Sequence, residues 1–137
     1  MKRIKNIVTG ILVATMLTLS NVSINALDRG YSQNDVTMPS GLSVEQIRGV
    51  LPSNLKPLAN KIYTIDRSDT PINALFLASI VRLETGNGTS YSYKYRNNVG
   101  GVMGRRGLRT FRNKEECLDY MHHFLSNKYI ARGLRTP

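Results

Sequence analysis

The residues best suited to chemistry meet at Leu83–Ser90, LETGNGTS, where one glutamate ends an apolar run and a glycine-rich turn follows at once. At 100° per residue Glu84 falls between Leu77 and Ile80, the only polar group on its sector of an otherwise apolar helix. Partial burial there disfavours the charged carboxylate and raises its pKa. The negative end of the helix macrodipole acts in the same direction. A carboxyl group kept protonated near neutral pH is what a general acid needs. The competing reading is a glutamate that snorkels out through the helix end. An all-apolar helix before it and an open, glycine-rich floor after it weigh against that.

Other reactive side chains have blander readings. His122 falls at the edge of an apolar stripe and His123 on the opposite side, so the pair diverges and reads as two solvated histidines. Cys117 lies on the stripe itself, as a small core residue does, and has no histidine on its own face to activate it. Arg105, Arg106, Arg109 and Arg112 form a basic run that suits carboxylates or phosphates, or a solvated turn equally well. Tyr91, Tyr93 and Tyr95 fit sugar stacking or a packed irregular segment. Asn87-Gly88-Thr89 matches a glycosylation sequon and reads as turn structure.

Several elements must position Glu84. Ser43 and Gln46 form a capping box that opens a short helix ending before Pro52. Leu55, Leu58, Ala59, Ile62 and Ile65 recur at helical spacing and predict a second helix from Asn54 to about residue 65, with Pro57 in its first turn. Thr70 as N-cap and Pro71 at the first helical position predict the start of a third helix, apolar from Ile72 to Leu83 and ended by Gly86. A helix apolar all round is expected to be buried. Between Asn87 and Arg109 the periodicity dissolves, and NNVGGVMGRRGLRTF predicts a small β-hairpin lobe. Asn113 and Glu116 open a last helix whose stripe is Cys117, Leu118, Met121, Phe124 and Leu125.

The chain as a whole restricts where such a site would work. Lys2, Arg3 and Lys5 precede an apolar stretch over residues 7–19 and a small-residue site at Ala26, the pattern of a secretory signal over residues 1–26. An uncleaved N-terminal anchor is the rival, and the interspersed threonines with Asn21 and Asn25 favour cleavage. Residues 27–41 read as a polar linker and residues 42–137 as one domain with a modest core. A single cysteine excludes an internal disulfide framework and a cysteine-rich zinc site. The net charge is +10; removing the signal leaves 16 basic against 9 acidic residues, or +7, which implies an anionic partner. For an exported chain that partner is a wall polymer or anionic lipid before nucleic acid.

LETGNGTS closely resembles the glutamate motif of the peptidoglycan glucosaminidases, family 73 of the glycoside hydrolases. In that family a glutamate ends a central helix and is followed by Ser/Thr-Gly-x-Gly-x-Ser. Asn97-Asn98-Val99-Gly100-Gly101-Val102 resembles the Asn-rich approach to the family's β-lobe. Phe111-Arg112-Asn113-Lys114-Glu115-Glu116, with Leu118 and Tyr129, is similar to its next strand end and helix, and Ile72-Asn73-Ala74-Leu75-Phe76-Leu77-Ala78 fits upstream. The likeness covers about residues 42–131. It implies an α+β, lysozyme-like fold: a mainly helical body and a small β-hairpin lobe, shortened at the C-terminus. It also implies an endo-β-N-acetylglucosaminidase, secreted to the cell wall, that cuts peptidoglycan glycan after N-acetylglucosamine with Glu84 as proton donor. Asn98, Gly101, Phe111 and Tyr129 would bind substrate, with no metal or other cofactor. The partners implied are glycan strands and anionic wall polymers such as teichoic acid, with no nucleic acid and no membrane span after signal cleavage.

Ordinary glycosidases use two carboxylates. From Thr85 to Lys114 there is no acidic residue at all. Either the substrate's acetamido group is the nucleophile, or Asp66 or Asp69 approaches from the preceding loop. A lytic transglycosylase or muramidase of the same fold, and a non-catalytic peptidoglycan-binding relative, are the alternatives.

Overall fold

The computed structural model describes residues 35–135, so the signal-peptide reading lies outside the described residues. Within them, five α-helices and two 3-10 segments surround one core, with a two-stranded antiparallel sheet at one edge. At this level the fold is α+β, as expected. No helix among the described residues is long and apolar enough to cross a membrane.

Helix α1 (Val44–Val50) starts at the capping box read from the sequence: Ser43 Oγ accepts from Gln46 N and Gln46 Oε1 accepts from Ser43 N. The second helix is shorter than its periodicity predicts. Ser53–Leu58 winds as a 3-10 segment and α2 occupies only Ala59–Asp66. Pro57 offers no amide hydrogen at this point, so the segment winds around it before a regular α-helix begins.

Helix α3 (Ala74–Glu84) begins later than Thr70 and Pro71 suggest. Its N-cap is Asn73, whose Oδ1 accepts from Leu75 N and Phe76 N. Thr70 is engaged elsewhere, with its carbonyl 2.8 Å from His122 Nε2. The first turn of α3 is also held by Asp66, which is fully buried. Asp66 Oδ1 accepts from Ala74 N at 2.8 Å and from Ser40 N at 2.7 Å, while Oδ2 accepts from Ser40 Oγ and Arg67 Nη1. Ser40 belongs to the stretch read as linker. From Asp35 onward that stretch is bound to the body: Val36 is buried, its carbonyl accepts from Asn73 N, and its N–H donates to Arg135 O.

The expectation that α3 is buried all round is corrected by one stripe. Leu77, Ala78 and Val81 are covered, Phe76 and Ile80 are half-buried, and Leu83 is 50% exposed. Helical spacing puts Phe76, Ile80, Leu83 and Glu84 side by side. Glu84 therefore stands on the boundary between the core face of α3 and an open one.

A six-residue helix, α4 (Tyr91–Arg96), lies where the periodicity dissolves, capped by Ser90 and ended by Asn97 in the left-handed conformation. The hairpin pairs β1 (Met103–Gly104) with β2 (Gly107–Leu108). Helix α5 (Lys114–Lys128) starts at Asn113, whose Oδ1 accepts from Glu116 N at 2.8 Å, and buries Cys117, Leu118 and Met121. The 3-10 segment Ile130–Arg132 closes the described chain.

Candidate active site

The turn after Glu84 is built by its own side chains. Thr85 is buried: its Oγ donates to Val81 O at 2.6 Å and accepts from Gly88 N at 2.9 Å, while its carbonyl accepts from Thr89 N and Ser90 N. Gly88 sits at φ +80° with Asn54 Cβ and Leu55 directly over it, so a side chain has neither the conformation nor the room. The motif therefore folds the chain sharply away from Glu84 and docks it on the Ser53–Leu58 segment. The same turn caps the last carbonyls of the helix, Gly86 N donating to Leu83 O and Asn87 N to Arg82 O, while the Leu83 side chain stays half exposed.

The loop before the hairpin approaches from the other side. Gly101 has φ +60°, and a Cβ placed on it would overlap Glu84 Oε2 and stand 3.3 Å from Glu84 Cδ. The Gly101 backbone thus touches the carboxyl group, and only glycine permits that approach. Gly100 faces the sulfur of Met121 in the same manner, which seats the loop on α5.

Glu84 is partly buried, and burial alone lifts its carboxyl above the usual glutamate range; no neighbouring charge contributes. No hydrogen bond or ion pair among the described residues reaches the carboxyl group. An acid that is desolvated yet unpartnered is free to give its proton to something that enters.

Asn98 is close by and does a different job from the one expected. It is fully buried, with Oδ1 accepting from Val102 N at 2.9 Å and Nδ2 donating to Val102 O and Arg109 O, both at 2.8 Å. Its amide is used up in holding the loop against the hairpin base, so Asn98 positions Gly101 and has no donor left for a ligand. Cys117 assists from behind, its sulfur accepting from Val99 N at 3.3 Å, and burial raises its thiol pKa.

Phe111 is likewise in the core, at 5% exposure, packed on Tyr120 with 5.7 Å between ring centres. It begins an aromatic row: Tyr120 stacks with Phe124 and Phe124 meets Tyr129 edge-on. Tyr129 lies eight residues beyond Met121, about 12 Å along the helix from the Gly100 contact. Of the expected substrate-binding residues, Gly101 lies directly against Glu84.

Asp66, the last residue of α2, stands too far away to supply a second carboxylate. Asp66 caps the first residue of α3, ten residues before Glu84, which sets the two about 15 Å apart. Paired glycosidase carboxylates stand roughly 5–9.5 Å apart. Asp69 lies in the loop that follows α2, which His122 ties to α5 through Ser68 and Thr70. His122 is therefore a half-buried brace and differs from the solvated side chain expected, whereas His123 is exposed and within 3.1 Å of Asn127.

Sequence reading missed the tyrosine pair as a pair. Tyr91 and Tyr95, one turn apart on α4, are 63% and 71% exposed with ring centres 4.9 Å apart. The available signal was Ser90 as N-cap ahead of i, i+4 aromatics. No group of three or more His, Cys, Asp or Glu among the described residues converges on a point where a metal would sit. Compared with known protein families, curated proteins and solved structures, the chain matches none.

Proposed function

We propose that this protein is an exported glycoside hydrolase, lysozyme-like in arrangement, that cleaves the glycan strand of peptidoglycan after N-acetylglucosamine with Glu84 as general acid. The reading rests on one observation above the rest: a partly desolvated, unpartnered carboxyl at the C-terminal end of α3, with the Gly101 backbone against it. The likeness of LETGNGTS to the glucosaminidase motif names the substrate class.

With Asp66 held about 15 Å away and no acidic residue from Thr85 to Lys114, the chemistry is read as one protein acid and a nucleophile from the substrate. Glu84 donates its proton to the glycosidic oxygen as the C1–O bond breaks. The carbonyl oxygen of the 2-acetamido group attacks C1 from the face opposite the leaving oxygen and forms an oxazolinium ion. Water then attacks C1 as the oxazolinium ring's C1–O bond breaks and the acetamido carbonyl is restored, and the water's surplus proton passes to the Glu84 carboxylate. The negative end of α3 and the apolar neighbours Leu77 and Ile80 favour the protonated start and finish of that cycle.

The same lone acid favours a second reading, a lytic transglycosylase, in which the muramic 6-hydroxyl attacks C1 and one carboxyl serves as acid and then base. Glu84→Gln tests what the two share. The variant should fold as the parent does and release no product from cell-wall sacculi; release at the parent's rate would end both readings. Reducing N-acetylglucosamine ends identify the hydrolase and anhydromuramic ends the transglycosylase.

A further inference from the structure

Between Thr85 and Lys114 the chain carries seven basic residues and no acidic one. Four of them, Arg96, Arg105, Arg106 and Arg109, line one open groove on the hairpin together with Gly104 and Gly107. The ion pairs of the described residues, Lys61–Asp119 and Arg67–Asp66, involve none of the four.

Two of the guanidinium groups are already held in place. Arg96 Nη1 donates to Leu108 O at 2.9 Å and to Thr110 Oγ at 3.3 Å. The Arg109 guanidinium lies 4.9 Å from the Phe111 ring centre and 4.6 Å from that of Tyr120. A carbonyl, a hydroxyl and two ring faces orient these charges without neutralising them. Arg105 and Arg106 are exposed between the two strands. Like charges gathered in one groove repel, and an entering anion removes that penalty.

The base of the groove is linked to the loop against Glu84 through the backbone. Arg109 N donates to Val102 O at 2.9 Å, and the Asn98 amide grips the carbonyls of both residues. Val102 directly follows Gly101, the residue against the Glu84 carboxyl. A glycan lying across Glu84 would carry its acidic substituents past the base of the hairpin.

We propose that this groove is a carboxylate-binding subsite that selects acidic glycan strands over neutral ones; the proposal rests on the reading of Glu84 given above. Arg96 and Arg109 form its fixed wall, and Arg105 and Arg106 close on the ligand from the turn. The planar guanidinium fork matches a carboxylate through two parallel hydrogen bonds. Peptidoglycan offers carboxylates from two sources, the lactyl ether and the stem peptide. The phosphodiesters of a separate wall polymer fit the fork but need no connection to Glu84, so the backbone link to that residue favours the glycan.

The test is equilibrium binding by the full-length chain carrying Glu84→Gln, with and without Arg105→Ala and Arg106→Ala together. Three probes are used: soluble glycan strands with stem peptides, the same strands after amidase treatment leaves lactyl carboxylates, and a neutral chito-oligosaccharide of equal length. The double arginine change should raise Kd for at least one acidic strand by about tenfold or more, leave the neutral probe unchanged, and lose its effect at about 1 M salt. The acidic strand that loses affinity names the source. Equal weakening of all three probes, or no weakening of either acidic strand, overturns the proposal. So does arginine-dependent binding confined to a glycerol-phosphate polymer. Hydrolysis of the strands by the Glu84→Gln chain during the titration would instead refute the reading of Glu84, so the two failures are distinguishable.

Discussion

Replacing Gly101 by alanine should separate a strained backbone from a misplaced acid. At φ +60° an L-residue is disfavoured by about 1–2 kcal/mol. Part of that is offset, by about 0.4–1 kcal/mol, because alanine also restricts the unfolded chain. A net loss of about 1 kcal/mol lowers Tm by roughly 4–8 °C in a domain of this size. The new Cβ also overlaps Glu84 Oε2, so the carboxyl must retreat by about 1 Å to regain van der Waals contact. A displacement of about 1 Å at a reacting group lowers the rate by roughly a hundredfold. Gly41→Ala is the control: φ is +69° there, and nothing lies within 4 Å of a Cβ at that position. Thermal unfolding followed by circular dichroism, with release of reducing sugar from sacculi, reads both effects. Both variants should lose similar stability, and only Gly101→Ala should lose activity. Full activity in Gly101→Ala, or equal activity loss in Gly41→Ala, refutes the placement of Glu84 against this loop.

Two further outcomes follow from the same geometry. Burial raises the Glu84 pKa in the folded state, so its ionised form destabilises the fold above that pKa, and the effect disappears below the unfolded value. Denaturant titrations should therefore find Glu84→Gln gaining stability relative to the parent as pH rises above the unfolded glutamate value of about 4, and activity falling on the alkaline side as the acid ionises; a pH-independent difference contradicts this. Asp66→Asn replaces an acceptor of four hydrogen bonds by an amide that opposes the donors, and should cost about 3 kcal/mol of stability while the folded fraction keeps its catalytic rate. A drop in rate per folded molecule would return Asp66 to the active site.

The parts legible in sequence were those governed by local rules. The capping box at Ser43 and the cap at Asn113 set helix starts through contacts three residues long. The partly buried position of Glu84 was legible because a lone acid in an apolar helix has few physical causes. Gly101 was expected only as a substrate contact, and its approach to Glu84 depends on the folded loop. The start of α3 was not legible, since it depends on Asp66 reaching Ala74 and on His122 engaging Thr70 across the fold. Nor was the role of Asn98, because a buried asparagine and a substrate-facing one look alike until the carbonyls of Val102 and Arg109 are in place. Phe111 was expected at the substrate through the family resemblance alone, and Tyr120 and Arg109 packed on it reveal a core residue. Helix α4 escaped because six residues span too few turns to show a periodicity.

The central claim is that Glu84 donates the proton that breaks a glycan bond in peptidoglycan. Reducing-end analysis of sacculi digested by the parent chain and by Glu84→Gln tests it most directly. The parent should leave new N-acetylglucosamine reducing ends and the variant none. Sacculi untouched by the parent, or the same new ends from both proteins, would contradict it.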